Sequence, residues 1–348
     1  MELSPGKLWG LRRLADAGGR FKMTAVDQRP PIKSLVASRR GTAEAPYEDV
    51  AAVKALLVEE LAGSSSAMLL DPHYAYPGAA RHVRPSQGLI LTLEDSIFVE
   101  TAHGRRSSEI DGWSVAKIKR TGADAVKVLA WYRPDADPAV SAHQQDFVAT
   151  IGDACRRHDI PFVFELLVYP FPGDAGHTTD YLEQPGKRTE HVLESVATFA
   201  HPAYGVDLFK LESPVGGANV SEPATDDGSI QGTFDELGRI AGRPWVMLSA
   251  GAGKEAFVRI LTYAYGAGAS GYLAGRAIWW DMFQAFPDLD RMRRELHDEG
   301  VAYMATINAL TDDAARPWTA HPSFGDEPQP AGAGSGFRFG YPDFENAP

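Results

Sequence analysis

Eight short, apolar runs between residues 21 and 273 constrain the fold of this chain more than any other feature. Each run is too short for a helix, and polar residues rarely interrupt it, which is typical of strands buried on both faces of a parallel sheet. The runs are Phe21–Val26, Ala67–Leu70, Leu89–Leu93, Ala125–Ala130, Phe162–Val168, Leu208–Leu211, Trp245–Leu248 and Gly271–Leu273.

Stretches with helical periodicity separate these runs. They are Glu48–Leu61, Ala139–His158, Thr189–Phe199, Phe234–Ala241 and Lys254–Tyr265. Alternating strands and helices with right-handed crossovers build either a doubly wound sheet or a closed barrel. Eight strands within about 255 residues favour the barrel. The sequence therefore predicts an α/β fold, a (β/α)8 TIM barrel over residues 1–316, with a C-terminal helical region from Met282 to about Asp313.

The last segment, residues 317–348, is rich in proline and glycine but carries several aromatic residues. Two interpretations stay open: a disordered tail, or an irregular segment that packs on its own barrel or on a neighbouring subunit. We expect a homo-oligomer, either a dimer or a tetramer. Two turn-rich connections, Asp71–Gln87 and Tyr169–Lys187, are predicted to lie on the C-terminal face of the barrel, where active sites are built.

The composition limits the partners of the chain. It has 34 Lys and Arg residues against 46 Asp and Glu residues, a formal charge of −12, whereas nucleic acids and anionic membranes normally require a basic face. The single cysteine, Cys155, excludes an intramolecular disulfide. No apolar run approaches 18 residues, and the N-terminus lacks a signal-peptide pattern. These features predict a soluble cytoplasmic protein without a nucleic-acid or membrane partner.

Charged residues inside the fourth, fifth and sixth strands carry the main functional signal. They are Lys127, Glu165 and Lys210. An unpaired charge in a packed barrel costs several kcal/mol, so such residues either pair with one another or perform chemistry. A lysine beside a second cation loses its proton more readily and can then attack a ketone, while a carboxylate moves protons. The sequence predicts Schiff-base chemistry; a buried ion pair without function is the alternative.

A phosphate site is predicted at the ends of the seventh and eighth strands. Glycines near a helix start let main-chain N–H groups approach an anion, and an arginine adds a bidentate donor. Barrels often bind phosphate at these two loops. The candidate residues are Ser249, Gly251, Gly275 and Arg276. Tight-turn glycines without a ligand are the alternative.

Polar residues also follow the first and third strands. Asp27, Gln28 and Arg29 would suit recognition of hydroxyl groups and of a second anion, or would form a capping turn. Glu94 and Asp95 could contact substrate or cap a helix. A carboxylate metal site made of Asp27, Asp71 and Glu165 is an alternative, but histidine motifs with metal spacing are absent. We expect no metal and no other cofactor.

Six segments together resemble the class I tagatose 1,6-bisphosphate aldolase family, which includes the similar sulfofructosephosphate aldolases. The segments are Ala25–Pro31, Asp124–Tyr132, Pro161–Pro170, Asp207–Val215, Trp245–Gly251 and Gly271–Trp279. The resemblance covers about residues 5–310. It implies a barrel that cleaves a ketose 1-phosphate to dihydroxyacetone phosphate and a three-carbon aldehyde without a metal.

The resemblance also implies roles for individual residues. Lys210 would form the Schiff base, Glu165 would shuttle protons, and Lys127 and Asp27 would complete the catalytic set. The aldehyde stays open between glyceraldehyde 3-phosphate and sulfolactaldehyde, whose anion Arg29 or His82 could bind. Two rival functions are a metal-dependent barrel lyase, which a chelator would inhibit, and a non-catalytic sugar-phosphate sensor, which would bind without turnover.

Overall fold

A computed structural model describes residues 2–174, 177–178 and 188–343. Its eight barrel strands pair in parallel with their neighbours in the chain, and the eighth pairs with the first, so the sheet closes. The predicted (β/α)8 fold is confirmed, and each predicted strand is observed to within one residue at either end. The strands are β1 (Phe21–Ala25), β2 (Ala67–Leu70), β3 (Gly88–Thr92), β4 (Ala125–Trp131), β5 (Phe162–Leu167), β6 (Leu208–Leu211), β7 (Trp245–Met247) and β8 (Gly271–Ala274).

Helices cover the outside of the barrel and its N-terminal end. They are α1 (Pro5–Leu14), α2 (Pro30–Arg40), α3 (Tyr47–Leu61), α4 (Ala75–Ala79), α5 (Val115–Arg120), α6 (Pro138–Arg157), α7 (Thr189–Phe199), α8 (Ser229–Ala241), α9 (Lys254–Gly266), α10 (Arg276–Phe283), α11 (Leu289–Glu295), α12 (Val301–Ala314) and α13 (Phe337–Gly340). A π-helical turn, Leu296–Gly300, joins α11 to α12. Among the helices of the described part of the chain, none has both the length and the apolar character needed to cross a membrane.

The inside of the barrel is layered along its axis. Near the N-terminal ends of the strands the inward side chains are apolar, and they pack together with Leu11 and Leu14 of α1. Near the C-terminal ends, a second apolar cluster contains Leu129, Leu167 and Leu248. Lys127, Glu165 and Lys210 lie between these clusters in the strand registers. The charged residues are therefore concentrated at one depth of an otherwise apolar interior.

A close contact between β8 and β1 requires glycine at position 271. Gly271 has φ of 146°, and a Cβ at this position would lie 1.9 Å from the main-chain oxygen of Phe21. A larger residue would push apart the two strands whose pairing closes the barrel. The short predicted run Gly271–Leu273 thus belongs to the strand whose pairing with β1 closes the sheet.

The connection after β3 contains a small antiparallel hairpin that the sequence patterns did not predict, Val99–Thr101 with Gly104–Arg106. Arg105 of this hairpin is fully buried, and its guanidinium lies 4.5 Å from the ring centre of Phe98 and 4.7 Å from that of Trp131. The turn-rich connection 71–87 contains only the short α4 and one 3-10 turn. Most of the predicted loop 169–187 lies outside the described residues.

The described part of the C-terminal segment contacts the barrel. Trp318 is buried and stacks on Phe21 at a ring-centre distance of 6.5 Å. Farther along, the hydroxyl of Tyr341 donates to the carboxylate of Asp159. Phe344, one of the aromatic residues noted in the sequence, lies outside the described residues.

Candidate active site

The three charged residues of β4, β5 and β6 meet inside the barrel. Glu165 and Lys210 are direct neighbours in the register of β5 and β6. The same oxygen, Oε2 of Glu165, lies 2.9 Å from Nζ of Lys210 and 2.8 Å from Nζ of Lys127. All three side chains are less than 10% exposed. The convergence expected from consecutive strands is therefore observed, and Glu165 stands between the two ammonium groups.

Lys127 is bound by carboxylates from three other strands or strand ends. Its Nζ lies 2.8 Å from Asp27, which follows β1, and 2.6 Å from Glu94, which follows β3, in addition to Glu165. The sequence patterns left Glu94 undecided between substrate contact and helix cap. Two features of the sequence could have identified it as a site residue. Glu94 comes one residue after a buried strand, and the next strand along the chain carries Lys127. Glu94 also accepts a hydrogen bond from the hydroxyl of Thr92 at 2.5 Å.

Burial and neighbouring charges shift the pKa of Asp27, Glu165 and Lys127. Burial alone would raise the pKa of Asp27, but Lys127 and Lys210 outweigh it and hold that pKa well below its ordinary value. The pKa of Glu165 is lowered against its burial by the same two lysines. Burial alone would lower the pKa of Lys127, but Asp27, Glu165 and Glu94 raise it well above its ordinary value. Lys127 is therefore a permanent cation at neutral pH.

These shifts predict how Asp27 affects stability at acidic pH. A carboxyl group with a depressed pKa in the folded protein contributes stability above its unfolded pKa, and this contribution is lost as the pH falls. We expect the free energy of unfolding to fall less steeply between pH 5 and pH 3 in Asp27→Asn than in the wild type. The slopes against pH should differ by up to about the amount that the uptake of one proton contributes. Urea unfolding at several pH values measures this. The exposed control Asp290→Asn should keep the wild-type slope, and a parallel decline in Asp27→Asn would contradict the expectation.

A cleft opens onto this cluster at the C-terminal ends of the strands. Every residue of the predicted catalytic set lines it, together with most of the predicted phosphate-binding residues. The predicted residues in its wall are Asp27, Gln28, Arg29, Lys127, Glu165, Lys210, Ser249, Gly275 and Arg276. Gly251 lies in an adjoining cleft, which shares Arg276 with the first.

The loop after β7 has an unusual main chain. Ala250 has φ of 46° and Gly251 has φ of 86°, two consecutive residues in the left-handed region. For alanine this conformation is disfavoured, and such strain is concentrated at functional sites. The turn is closed by the N–H of Ala252, which donates to the oxygen of Ser249 at 2.7 Å. The sharp turn places Ser249 in the wall of the cleft and leads into α9.

The loop after β8 is equally restricted. A Cβ at Gly275 would lie 2.6 Å from the main-chain oxygen of Ala25 and 2.7 Å from Nε2 of Gln28. Only glycine fits between these groups. Arg276, the next residue, begins α10, so its side chain and the helix N-terminus lie at the same edge of the cleft. Together with Ser249 they offer the donors that an anion requires.

Arg29 is held in place but keeps donor capacity. It is 5% exposed, and its Nη2 donates to the main-chain oxygen of Glu94 at 2.9 Å. Its Nε and Nη1, and Oε1 of Gln28, are buried without a hydrogen-bond partner among the described residues. Buried polar atoms without partners are rare, so these atoms in the wall of the cleft are candidates for ligand contacts.

Two alternatives that the sequence left open involve residues that lie outside the cleft. Asp71 does not line the cleft; it forms an ion pair with Lys54, so the carboxylate metal set of Asp27, Asp71 and Glu165 is not assembled. Within the described ranges, no group of three or more His, Cys, Asp or Glu side chains is arranged to hold a metal ion. His82 is also absent from the wall of the cleft and instead contacts Arg81, at 3.2 Å. Sequence position after a strand did not reveal which polar residues turn inward.

Comparison with known proteins shows a family match over most of the chain. A family model described as DeoC/LacD family aldolase matches residues 21–281. A tagatose 1,6-diphosphate aldolase of Listeria monocytogenes serotype 4a (strain HCC23) is 32% identical over 338 residues, covering 94% of this chain and 98% of that protein. A tagatose 1,6-diphosphate aldolase of Lactococcus lactis subsp. lactis is 30% identical, with 92% and 99% covered.

Solved structures agree on the fold. A fructose-bisphosphate aldolase from Plasmodium falciparum superimposes with a TM-score of 0.60 at 14% identity, covering 91% of this chain and 98% of that chain. An archaeal fructose 1,6-bisphosphate aldolase gives a TM-score of 0.52 at 18% identity, covering 83% and 96%. At these identities the likeness concerns the barrel architecture alone.

Proposed function

This chain belongs to the DeoC/LacD family of aldolases, which are carbon–carbon lyases, and we propose that it cleaves a ketose 1-phosphate through a Schiff base. The observation that carries the proposal is the shared oxygen of Glu165, in contact with both Lys210 and Lys127 at the base of the cleft. The two lysines keep Glu165 ionised in the free site. It can therefore accept the proton of Lys210 as the amine attacks the ketone.

The first half of the reaction attaches the substrate. Lys210 transfers a proton to Glu165, and the neutral Nζ attacks the C2 carbonyl to give a carbinolamine. Glu165 returns the proton to the carbinolamine oxygen, which leaves as water, and an iminium ion remains. Lys127, which stays charged, hydrogen-bonds substrate oxygens and stabilises the negative charge that develops on them.

The second half breaks the carbon–carbon bond. Glu165, again a carboxylate, accepts the proton of the C4 hydroxyl as the C3–C4 bond breaks and the aldehyde forms. The bonding electrons move into the iminium, which becomes an enamine. Glu165 then gives its proton to C3 of the enamine, and water hydrolyses the resulting iminium to release dihydroxyacetone phosphate and Lys210.

The two ends of the substrate fit two groups of donors. Ser249, Gly275, Arg276 and the neighbouring Gly251 would hold the 1-phosphate, and the unsatisfied donors of Arg29 would hold the anion at the far end. Gln28 would accept a hydrogen bond from a substrate hydroxyl through Oε1. Relatives named for tagatose 1,6-diphosphate support that bisphosphate as the first substrate to test.

Borohydride trapping tests the proposal. Incubation with dihydroxyacetone phosphate and borohydride should reduce the Schiff base to a stable adduct, which peptide mapping should locate on Lys210. An adduct on another lysine, or none, would refute the mechanism. Steady-state kinetics with tagatose 1,6-bisphosphate, fructose 1,6-bisphosphate and 6-deoxy-6-sulfofructose 1-phosphate would then identify the aldehyde product.

The phosphate assignment predicts the effect of removing Arg276. We expect Arg276→Met to raise KM for the ketose 1-phosphate by about 10- to 100-fold, because a charged hydrogen bond to phosphate is lost, while kcat falls less. Kinetics with the corresponding ketose lacking the 1-phosphate is the control, since that substrate cannot use Arg276 and should not distinguish the two proteins. Equal losses on both substrates would place Arg276 outside the phosphate site.

A further inference from the structure

A second buried ion pair lies beside the active site and takes no part in the proposed mechanism. It joins Lys54 of α3 to Asp71, the residue after β2, and neither side chain has exposed surface. Neither residue lines the cleft. The buried face of α3 is otherwise apolar, with Val50, Val53 and Leu57, so a charge at position 54 breaks its pattern.

The contacts of this pair tie the end of β1 to the end of β2. Nζ of Lys54 donates to the carboxylate of Asp71 and, at 2.8 Å, to the main-chain oxygen of Val26. Oδ1 of Asp71 accepts the N–H groups of His73 at 3.0 Å and Tyr74 at 2.8 Å. Asp71 is thereby fixed by its own turn, and Lys54 is fixed by Asp71.

Val26 is the residue immediately before Asp27. Its N–H donates to the main-chain oxygen of Leu69 in β2 at 2.8 Å, and its own oxygen accepts a hydrogen bond from Lys54. Both main-chain polar groups of Val26 are therefore held in place. The carboxylate of Asp27 then lies 2.8 Å from Nζ of Lys127. Lys54 is therefore linked to the catalytic cluster through Val26, the adjacent Asp27 and the ion pair between Asp27 and Lys127.

Stability alone is a weak reason for such a pair. Two charges lose their hydration on burial, and replacing a buried ion pair by well-packed hydrophobic residues of similar volume often leaves a protein equally stable or more stable. What a buried ion pair does supply is a fixed position for the groups that it contacts. Here the contacted group is the main chain that carries Asp27.

We infer that Lys54 and Asp71 are positioning residues for the reaction: Lys54 holds the Val26 carbonyl so that Asp27 meets Lys127, and Asp71 holds Lys54. The inference rests on the proposed function and extends it to two residues outside the cleft. Small displacements of catalytic groups can cost up to about 100-fold in rate, whereas ground-state binding depends on the groups that touch the substrate. The pair should therefore act on kcat more than on KM.

The test is the double variant Lys54→Met/Asp71→Asn. Methionine keeps the length of the side chain without the donor, and asparagine keeps the acceptor for His73 and Tyr74. We expect kcat to fall about 10-fold or more, KM for the ketose 1-phosphate to change less than about threefold, and the thermal unfolding midpoint to shift by no more than a few degrees.

A second readout separates positioning from general damage. Asp27 and Glu94 from two strand ends and Glu165 from within β5 face Lys127 and keep its pKa raised, and Lys210 lies on the other side of Glu165. If Asp27 moves away, that pKa falls, and the alkaline limb of the kcat–pH profile should move to lower pH in the double variant. A purely structural role would leave that limb in place.

The chain offers a matched control at the other end of the barrel. Lys7 of α1 and Asp207, which precedes β6, form a buried ion pair at 2.7 Å. Lys7→Met/Asp207→Asn should keep kcat within about twofold of the wild type and leave the alkaline limb unmoved. Equal losses in both double variants would overturn the inference, as would wild-type kcat in Lys54→Met/Asp71→Asn.

Two further outcomes are distinguishable. If the double variant does not fold, Asp71→Asn alone is compared, because it keeps the turn and leaves Lys54 without its carboxylate; kcat within twofold of the wild type would then overturn the inference. If the wild type itself neither turns over a ketose 1-phosphate nor gives the borohydride adduct, the proposed function fails and the inference fails with it. An active wild type with an unaffected variant overturns the inference alone.

Discussion

Replacing Lys210 by methionine should lower kcat/KM by at least about 10⁴-fold, because the nucleophile that forms the covalent intermediate is removed. Methionine has a similar length and no charge, so the barrel interior stays filled. Glu165 keeps Lys127 as a partner in the variant, at 2.8 Å in the wild type, and is not left as an unpaired buried carboxylate. The loss should therefore appear in a folded protein, as judged by circular dichroism and thermal unfolding.

The control for this variant is Lys119→Met. Lys119 is a half-buried lysine of α5 whose Nζ donates to the main-chain oxygen of Asp159 at 2.8 Å, away from the cleft. Its removal should leave kcat/KM within about twofold and should leave the borohydride adduct intact. Residual activity of Lys210→Met above about 1% of the wild type would mean that another group, or no covalent intermediate, carries the reaction.

The fold could be predicted from the sequence because its signal is local and repeated. The run Ala67–Leu70 is apolar on both faces, and Leu208–Leu211 is apolar apart from Lys210. Both runs coincide with observed strands at both ends. The hairpin Val99–Arg106 escaped prediction because its strands have only three residues each and their pattern is inverted: the apolar Val99 is exposed and the charged Arg105 is buried. Arg105 holds the hairpin in place by packing against the rings of Phe98 and Trp131. The contact with Trp131 joins distant segments of the chain, and no local sequence pattern shows it.

The candidate site was predictable where a charge interrupts a buried strand. Lys127, Glu165 and Lys210 stand out because the neighbouring positions in their strands are apolar. Glu94 and Lys54 could not be assigned in the same way. Glu94 lies just beyond its strand, where polar residues are ordinary, and Lys54 lies on a helix, where a lysine usually reaches solvent. Only the tertiary structure shows that Glu94 is buried against Lys127 and that Lys54 is buried against the main-chain oxygen of Val26.

Replacing Glu165 by glutamine should lower kcat by about 10²- to 10⁴-fold, the range expected when a general acid–base group is lost. Glutamine has the same shape but cannot accept the proton of Lys210 or of the C4 hydroxyl. Both Schiff-base formation and carbon–carbon cleavage should therefore slow. Steady-state kinetics measures the overall loss, and the rate of borohydride-trappable adduct formation with dihydroxyacetone phosphate measures the first half separately.

Glu94→Gln is the matched control, because it makes the same chemical change to another carboxylate on the same lysine. Glu94 lies 2.6 Å from Nζ of Lys127, as Glu165 lies 2.8 Å from it, but only Glu165 is in contact with Lys210. Removing one charged contact of Lys127 should lower kcat by about 10-fold or less, so Glu94→Gln should retain far more activity than Glu165→Gln. Equal losses in the two variants would show that Glu165 acts by keeping Lys127 in place, and proton transfer would have to be assigned to another group.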